Sequence, residues 1–167
     1  VIVVDNGSQT FTPLPPFTLF TPKVIKLPRN EGPAFARNRG VEVAHGKYLA
    51  FLDNDTEVHK DWLKNAVDIL ENDESIGALQ CKLLLNKDRT KFYYAGDYIT
   101  QWGFLTQAVE ADTEDANQVP EDLEILAAKS AGMFIRIDTF KKICGFDESY
   151  FMFMEETDLS WRVWLSG

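Results

Sequence analysis

Short apolar runs along this chain alternate with stretches of helical periodicity, and the apolar runs end in polar turn formers. Residues 1–4 are consecutive β-branched residues, as in a buried parallel strand, and residues 48–52 form a second continuous apolar run. Further strands are predicted over residues 23–27, 76–85 and 133–135. The alternation of strands with helices predicts an α/β domain with a mostly parallel central sheet and helices on both faces.

Four helices are predicted between and after these strands. Pro33 occupies a first helical position, and the helix continues over residues 34–44. Residues 60–72 carry apolar side chains at helical spacing, so one face of this helix is expected to pack on the sheet. Asp138 is predicted to cap a short third helix, and Glu155 begins a fourth.

Two stretches lack a clear period. Residues 9–22 contain four of the seven prolines, which predicts an irregular segment. Residues 86–128 combine scattered aromatic residues with an acidic run, and we expect a partly flexible excursion there. The chain begins inside a strand and stops where the last helix reaches its end. We therefore expect residues 1–167 to be a single domain that lacks its first strand and its C-terminal end.

The charge balance narrows the choice of ligands. The chain has 17 basic and 26 acidic residues, a net charge of -9, and no cluster of Lys and Arg longer than a pair. Nucleic acid is therefore not an expected partner, because a phosphate backbone is bound through clustered positive charge. An acidic protein would repel an anionic ligand such as a diphosphate. Carboxylates that hold a divalent cation would remove this difficulty, because the cation can contact the anion.

The cellular location is predicted from the cysteines and from hydropathy. Cys81 and Cys144 lack the spacing of a metal site, and we expect free, buried thiols in a reducing compartment. No apolar run approaches the roughly 18 residues that span a bilayer, and no signal peptide is recognisable. We expect a cytoplasmic location or one at the cytoplasmic face of a membrane, with any membrane association made by parts outside this chain.

An acidic triplet, Asp53-Asn54-Asp55, follows the apolar run at residues 48–52 directly. Oxygen ligands of this kind suit hard cations such as Mg²⁺ and Mn²⁺, which share their coordination shell with water and substrate phosphates. A cation held there would neutralise a diphosphate leaving group. The alternative is that the triplet only forms a turn and a helix cap before residues 60–72.

Five separated segments carry a specific combination of residues. They are Val3-Val4-Asp5-Asn6-Gly7-Ser8, Asn30-Glu31-Gly32 with Ala36-Arg37-Asn38-Arg39-Gly40, Phe51-Leu52-Asp53-Asn54-Asp55, Gly145-Phe146-Asp147-Glu148, and Phe153-Met154-Glu155-Glu156-Thr157-Asp158-Leu159. In order and spacing the chain resembles family 2 glycosyltransferases, in particular the rhamnosyltransferase-like branch.

This resemblance implies the GT-A fold, a Rossmann-like fold of nucleotide-diphospho-sugar transferases. It implies a UDP- or TDP-sugar donor, Mg²⁺ or Mn²⁺, and inverting transfer to a hydroxyl of a carbohydrate or lipid-linked acceptor in cell wall or polysaccharide biosynthesis. A sugar-phosphate nucleotidyltransferase shares such a sheet, although its Gly-rich basic loop is not seen here. A non-catalytic nucleotide-sugar-binding module is the third possibility.

The resemblance also implies site residues. The donor-binding positions are Asp5, Asn6, Arg37, Asp53 and Gly132, and the metal ligands are Asp55 and Asp53 within a DXD motif. Asp5 would hydrogen-bond the nucleobase, and Arg37 would lie near the nucleotide. Other roles stay open for the same residues. Asp5 could only close a turn, Arg37 could be a solvated helix residue, and Gly132 could only serve a backbone turn.

The catalytic base is expected in the cluster Glu155-Glu156-Thr157-Asp158, where the family has an acidic pair followed by x-Asp-Leu. Displacement at an anomeric carbon needs a carboxylate that deprotonates the acceptor hydroxyl. By this register Glu156 replaces the more usual Asp, and the assignment stays open between Glu156 and Glu155. Asp158 has a supporting role, since it lies four residues before Arg162. Acids in a first helical turn are also favoured by the helix dipole.

Overall fold

The computed structural model describes residues 1–10, 21–120 and 123–167, so most of the irregular segment predicted over residues 9–22 lies outside the described residues. The strands are β1 (Ile2–Asp5), β2 (Lys23–Lys26), β3 (Tyr48–Ala50), β4 (Ala78–Gln80), β5 (Leu83–Leu84), β6 (Phe92–Tyr94), β7 (Asp97–Ile99), β8 (Leu105–Gln107) and β9 (Met133–Arg136). The helices are α1 (Pro33–Val41), α2 (Trp62–Asn72), α3 (Ile137–Lys142) and α4 (Glu155–Leu165), with a 3-10 turn at Ser130–Gly132. None of the helices within these ranges is both long enough and apolar enough to cross a bilayer.

The first strand pair is parallel, as the sequence predicts. β1 pairs with β2 in a register that runs from Ile2 opposite Lys23 to Asp5 opposite Lys26. α1 begins with Pro33 in its first turn and packs on β1, where a side chain at Gly40 would come within 3.2 Å of a Val4 methyl group. The last turn of α1 therefore lies directly against β1.

The central sheet has the order β3-β9-β4, and its strand directions differ from the prediction. β9 runs antiparallel to both neighbours, with Leu49 opposite Ile135 and Leu79 opposite Phe134. β3 and β4 are therefore parallel to each other, and β1 with β2 is the parallel hydrogen-bonded pair among the described strands. An apolar run indicates that a strand is buried but not in which direction it runs. The prediction of a mostly parallel central sheet was therefore wrong for the pairing of β9 with its two neighbours.

Helices cover both faces of this sheet, as predicted. Phe134 of β9 packs with Ala66 and Leu70 of α2 on one face. Met133 and Ile135, its neighbours in sequence, belong to a second cluster with buried residues of α1, α3 and α4. Successive side chains of a strand point to opposite faces, so β9 supplies both layers of the core.

The third helix begins earlier than predicted. α3 starts at Ile137, and Arg136 precedes it in an extended conformation without a capping side chain. Asp138 therefore lies in the first turn and is not the cap. The reason is that β9 leads into α3 without a connecting loop. Asp138 still carries negative charge at the helix start, where the dipole favours it.

The region after α2 is more regular than predicted. The strand predicted over residues 76–85 is divided, because β4 pairs with β9 whereas β5 pairs with β6. The excursion expected over residues 86–128 contains β6, β7 and β8 as antiparallel partners, and Phe92 and Tyr94 of β6 are fully buried. Strands of three residues are too short to show a period in the sequence. Both cysteines are free, but Cys144 is exposed instead of buried.

Candidate functional site

Asp5 is the last residue of β1 and lies in a tight turn. Its Oδ1 accepts a hydrogen bond from the backbone amide of Ser8 at 3.0 Å. Bonds from the side chain and the backbone of Ser8 lower the pKa of Asp5, and the positive charge of Lys26 acts in the same direction. Asp5 thus closes a turn and has an ionised carboxylate at the end of β1. Its contact with a nucleobase stays a prediction.

Asn6 joins this turn to the start of α1. Its Nδ2 donates to Asn30 Oδ1 at 2.9 Å and to the Gly32 carbonyl at 3.2 Å, while its Oδ1 accepts from the Glu31 amide at 3.0 Å. Gly32 also lies against the carbonyl of Phe151, where a Cβ would come within 2.3 Å of the oxygen. The β1 turn, the start of α1 and the segment before α4 therefore meet at one edge of the molecule.

Arg37 on α1 brings three acidic side chains together. Its Nη1 donates to Glu155 Oε1 at 3.1 Å, and its Nη2 donates to Asp53 Oδ1 at 3.2 Å. The same Nη2 lies 3.6 Å from Glu156 Oε1. These acids come from the loop after β3 and from the first turn of α4, so Arg37 offsets the repulsion that would otherwise separate them. The sequence predicts Arg37 near the nucleotide, and the structure places it between the carboxylates.

Glu155 and Glu156 have different surroundings. The side chain of Glu155 is only 6% exposed, and its Oε2 is buried without a hydrogen-bond partner among the described residues. The side chain of Glu156 is 24% exposed, and its Oε1 accepts from the Ser130 amide at 2.7 Å and from the Ser130 hydroxyl. A base must reach an acceptor that arrives from solvent, and this geometry favours Glu156 over Glu155.

The chain enters α4 through an unusual backbone conformation. Phe153 and Met154 both have positive φ, at 68° and 69°, in the left-handed region that non-glycine residues rarely adopt. Each such residue costs about 1 kcal/mol, and such residues concentrate at functional sites. Helix α4 starts at the next residue, Glu155, so this turn directs the first helical turn and its carboxylates toward Arg37.

The acidic triplet contains the two predicted metal ligands, Asp53 and Asp55. Asp53 and Asp55 are both exposed, and Asp53 shares the Arg37 guanidinium with Glu155 and Glu156. Among the described residues, no group of three or more His, Cys, Asp or Glu side chains is arranged to hold a metal ion. Two carboxylates with water and donor phosphates in the remaining positions nevertheless match the preference of Mg²⁺ and Mn²⁺. The donor set of Asp53 and Asp55 therefore fits such a cation.

Gly132 and Asp158 have clear partners within the protein. Gly132 is buried, and a Cβ there would come within 2.9 Å of Leu83 Cδ2, so a larger residue would require the Leu83 side chain to move. Contact of Gly132 with the donor sugar stays a prediction. Asp158 accepts from Arg162 Nε at 2.9 Å, the helix pair expected from the sequence, and Arg162 in turn donates to the Gly145 carbonyl at 2.7 Å. Asp158 supports the loop before α4 in this way.

Sequence reasoning missed the roles of Asn38 and Ser130. Asn38 donates through Nδ2 to the Phe146 carbonyl at 2.8 Å and to Glu148 at 2.9 Å, and its Oδ1 accepts from the Phe146 amide at 3.0 Å. Asn38 and Phe146 both lie in the recognised segments, but their spacing does not show that they touch. Ser130 precedes the predicted strand at residues 133–135, but the sequence does not show its contact with Glu156, which is 26 residues away.

Comparison with known proteins identifies the family of this chain. Residues 1–138 match the sequence profile described as Glycosyl transferase family 2. The succinoglycan biosynthesis protein ExoO of Rhizobium meliloti (strain 1021) is 40% identical over 70 residues, which cover 41% of this chain and 20% of that protein. Neither match specifies a rhamnosyltransferase-like branch.

Two solved structures have a similar fold. S. aureus TarS 1-349 gives a TM-score of 0.62 at 20% identity and covers 98% of this chain and 45% of that one. GalNAc-T7 with UDP, GalNAc and Mn²⁺ gives a TM-score of 0.64 at 19% identity and covers 87% of this chain and 30% of that one. The chain thus spans less than half the length of each of these relatives.

Proposed function

This chain belongs to glycosyl transferase family 2 and has the GT-A fold, and on that premise we propose that its protein is an inverting glycosyltransferase. The donor is a nucleoside-diphosphate sugar, UDP- or TDP-linked, and the acceptor is a hydroxyl of a carbohydrate or of a lipid-linked glycan. The observation that carries the proposal is the convergence of Asp53, Glu155 and Glu156 on Arg37 from separate segments.

The biological setting is part of the same proposal. ExoO is named for succinoglycan biosynthesis, which supports a role in polysaccharide or cell wall synthesis. GalNAc-T7 was solved with UDP and Mn²⁺, which supports a UDP-linked donor and a divalent cation. We place the reaction in the cytoplasm or at the cytoplasmic face of a membrane. The rhamnosyltransferase-like branch stays a prediction of the sequence.

Glu156 is the general base of this reaction. Its carboxylate takes the proton of the acceptor hydroxyl as the acceptor oxygen forms a bond to the anomeric carbon. The bond from that carbon to the diphosphate oxygen breaks at the same time, and its electron pair leaves with the nucleoside diphosphate. Attack from the side opposite the leaving group inverts the anomeric configuration.

The remaining acids bind the donor. Asp5 is ionised at the tip of β1 and accepts hydrogen bonds from the nucleobase. Asp55 and Asp53 would hold Mg²⁺ or Mn²⁺, and the cation would offset the negative charge of the departing diphosphate. Arg37 keeps the Asp53 carboxylate beside the first turn of α4, so a donor-binding carboxylate and the base are held in one arrangement before the donor and the acceptor bind.

The two alternatives predict different behaviour. A sugar-phosphate nucleotidyltransferase would form the nucleotide sugar from a nucleoside triphosphate and would not need a base beside the acceptor. A non-catalytic module would bind donor without turnover. The partial exposure of Glu156, in contrast to the buried Glu155, favours transfer over both alternatives because it leaves a carboxylate accessible to an acceptor.

The test combines donor binding with turnover in the full-length protein. Calorimetry with UDP-glucose, UDP-galactose and their N-acetylated forms, in MnCl₂ and then in EDTA, should show binding that depends on the cation. Glu156→Gln should keep that binding and lower donor hydrolysis by at least about 100-fold, since a lost general base costs 10²-fold to 10⁴-fold. Glu74→Gln, an exposed acid distant in sequence, serves as the control.

The outcomes separate the candidates. Full turnover in Glu156→Gln together with loss in Glu155→Gln would transfer the role of base to Glu155. Binding of every donor without turnover in the unaltered full-length protein would favour the binding module. Turnover that requires a nucleoside triphosphate and a sugar phosphate would identify a nucleotidyltransferase.

A further inference from the structure

The carboxylate of Glu156 is held through one of its two oxygens. Oε1 accepts hydrogen bonds from both the amide and the hydroxyl of Ser130, and Arg37 Nη2 lies 3.6 Å from the same atom. Within the described part of the chain, the hydrogen bonds and the ion pair of this carboxylate all involve Oε1. A carboxylate has about four acceptor positions over two oxygens, so Oε2 keeps its capacity to accept a proton.

We propose that Ser130 is a positioning residue for the reaction, which fixes Glu156 by occupying Oε1 and turns Oε2 toward the acceptor hydroxyl. The inference rests on the proposed function, in which Glu156 is the base. A glutamate side chain has three rotatable bonds, and a base that samples several rotamers spends little time at hydrogen-bond distance from its substrate. Two donors from one rigid residue reduce this freedom.

Ser130 is well suited to this task because it is itself immobilised. It is fully buried in the 3-10 turn that leads into β9. Two residues earlier, the amide of Ala128 donates to Ser160 Oγ at 3.1 Å, and that hydroxyl donates to the Glu156 carbonyl at 2.8 Å. The segment before β9 is thus attached to α4 at two points, one through the Ser160 hydroxyl and one through the Glu156 carboxylate.

Serine combines a small side chain, which fits a fully buried position, with a hydroxyl donor next to its backbone amide donor. Its amide and hydroxyl both donate to the same charged oxygen, and hydrogen bonds to ionised groups are about twice as strong as neutral ones. Alanine would keep the amide bond and lose the hydroxyl. Cysteine would keep nearly the same volume with a much weaker donor.

Ser160 provides a matched control. It is also a buried serine attached to the same glutamate, but it bonds the backbone carbonyl and not the carboxylate. If Ser130 had a purely structural role, replacing either serine would affect kcat in the same way. If Ser130 is a positioning residue, the loss of kcat in Ser130→Ala depends on the presence of the Glu156 carboxylate, and the effect of Ser160→Ala does not.

The experiment is a double-mutant cycle on the full-length protein, measured by donor hydrolysis with UDP-sugars and MnCl₂. Ser130→Ala should lower kcat by about 10-fold or more, the effect of one lost hydrogen bond to a charged group, with little change in the KM for donor. In the Glu156→Gln background the same substitution should cause less than about a 2-fold further loss, because its effect passes through the carboxylate. Ser160→Ala should lower Tm, and it should lower kcat clearly less than Ser130→Ala does because the bonds to the Glu156 carboxylate remain.

Three results would overturn the inference. They are wild-type kcat in Ser130→Ala, an equal loss from Ser130→Ala with and without the Glu156 carboxylate, and an equal loss of kcat in Ser160→Ala. Should Ser130→Ala fail to fold, Ser130→Cys answers the same question at nearly constant volume and should also lower kcat. Wild-type turnover in Glu156→Gln alone would instead refute the assignment of the base, so the two failures are distinguishable.

Discussion

Arg37 on α1 and Glu155 at the start of α4 form an ion pair with 3.1 Å between Nη1 and Oε1, although 118 residues separate them in sequence. The side chains are 17% and 6% exposed. A carboxylate buried to this degree is unfavourable unless a positive charge accompanies it. The pair therefore organises the site in the absence of any substrate, and Arg37 extends the connection to Asp53 through its other terminal nitrogen.

Replacement of Arg37 tests this organising role. Arg37→Ala should lower the free energy of unfolding by about 3 kcal/mol, because it leaves the Glu155 carboxylate buried without its partner. Urea denaturation measures the loss. Arg39→Ala, two residues along, should cost about 1 kcal/mol or less because its ion pairs with Glu42 and Glu148 are more exposed. Equal losses in the two variants, or no recovery when Glu155→Gln is added to Arg37→Ala, would contradict the explanation.

Asn38 connects α1 to the loop before α4, and its loss should be visible in stability. Asn38→Ala removes the paired bonds to the Phe146 backbone and should lower the free energy of unfolding by about 2 kcal/mol, since buried partners are left unsatisfied. Thermal and urea denaturation measure the effect. Asn65→Ala, at an exposed position of α2, should be neutral or slightly stabilising because alanine is the better helix former. A neutral Asn38→Ala would show that this contact does not hold the loop.

A comparison of two glycines distinguishes the cost of a steric clash from the cost of a positive φ. Gly7 and Gly103 both have positive φ, at 78° and 81°, but a Cβ at Gly7 would lie 2.2 Å from the carbonyl carbon of Arg29, whereas Gly103 has nothing within 4 Å. Gly103→Ala should therefore cost only the conformational penalty, about 1 kcal/mol. Gly7→Ala should cost clearly more and should weaken UDP binding, since Asp5 lies in the same turn. Chemical denaturation and calorimetry test both expectations, and similar stabilities of the two variants would refute the steric argument.

The two thiols should be alkylated at different rates at pH 8. Burial raises the pKa of Cys81 to about 11, whereas Cys144 is exposed. The reactive species is the thiolate, so the Cys81 thiol stays protonated at neutral pH and its alkylation rate should rise about 10-fold per pH unit until the pH approaches that value. Mass spectrometry after a short iodoacetamide pulse at pH 8 should find Cys144 modified first. Cys144→Ser should abolish this fast phase, and comparable rates at both positions in the unaltered protein would contradict the prediction.

The sequence by itself determined the layered α/β organisation and the residues that follow its strands. Apolar runs locate β1 and β3, and Asp5 and the Asp53-Asn54-Asp55 triplet come at or after their ends, as predicted. Pro33 marks the start of α1, and the recognised segments are sufficient to identify the family. These features are local, because periodicity, turn formers and motif spacing are properties of neighbouring residues.

The tertiary structure alone decided how these pieces meet. The strand directions in the central sheet, the different exposure of Glu155 and Glu156, and the contact of Ser130 with Glu156 follow from packing between elements that are distant in sequence. The sequence presents the two glutamates as equivalent neighbours in one helical turn. Their positions differ by about 100° around the helix axis, so only the packing of α4 against α1 and β9 buries one carboxylate and leaves the other accessible.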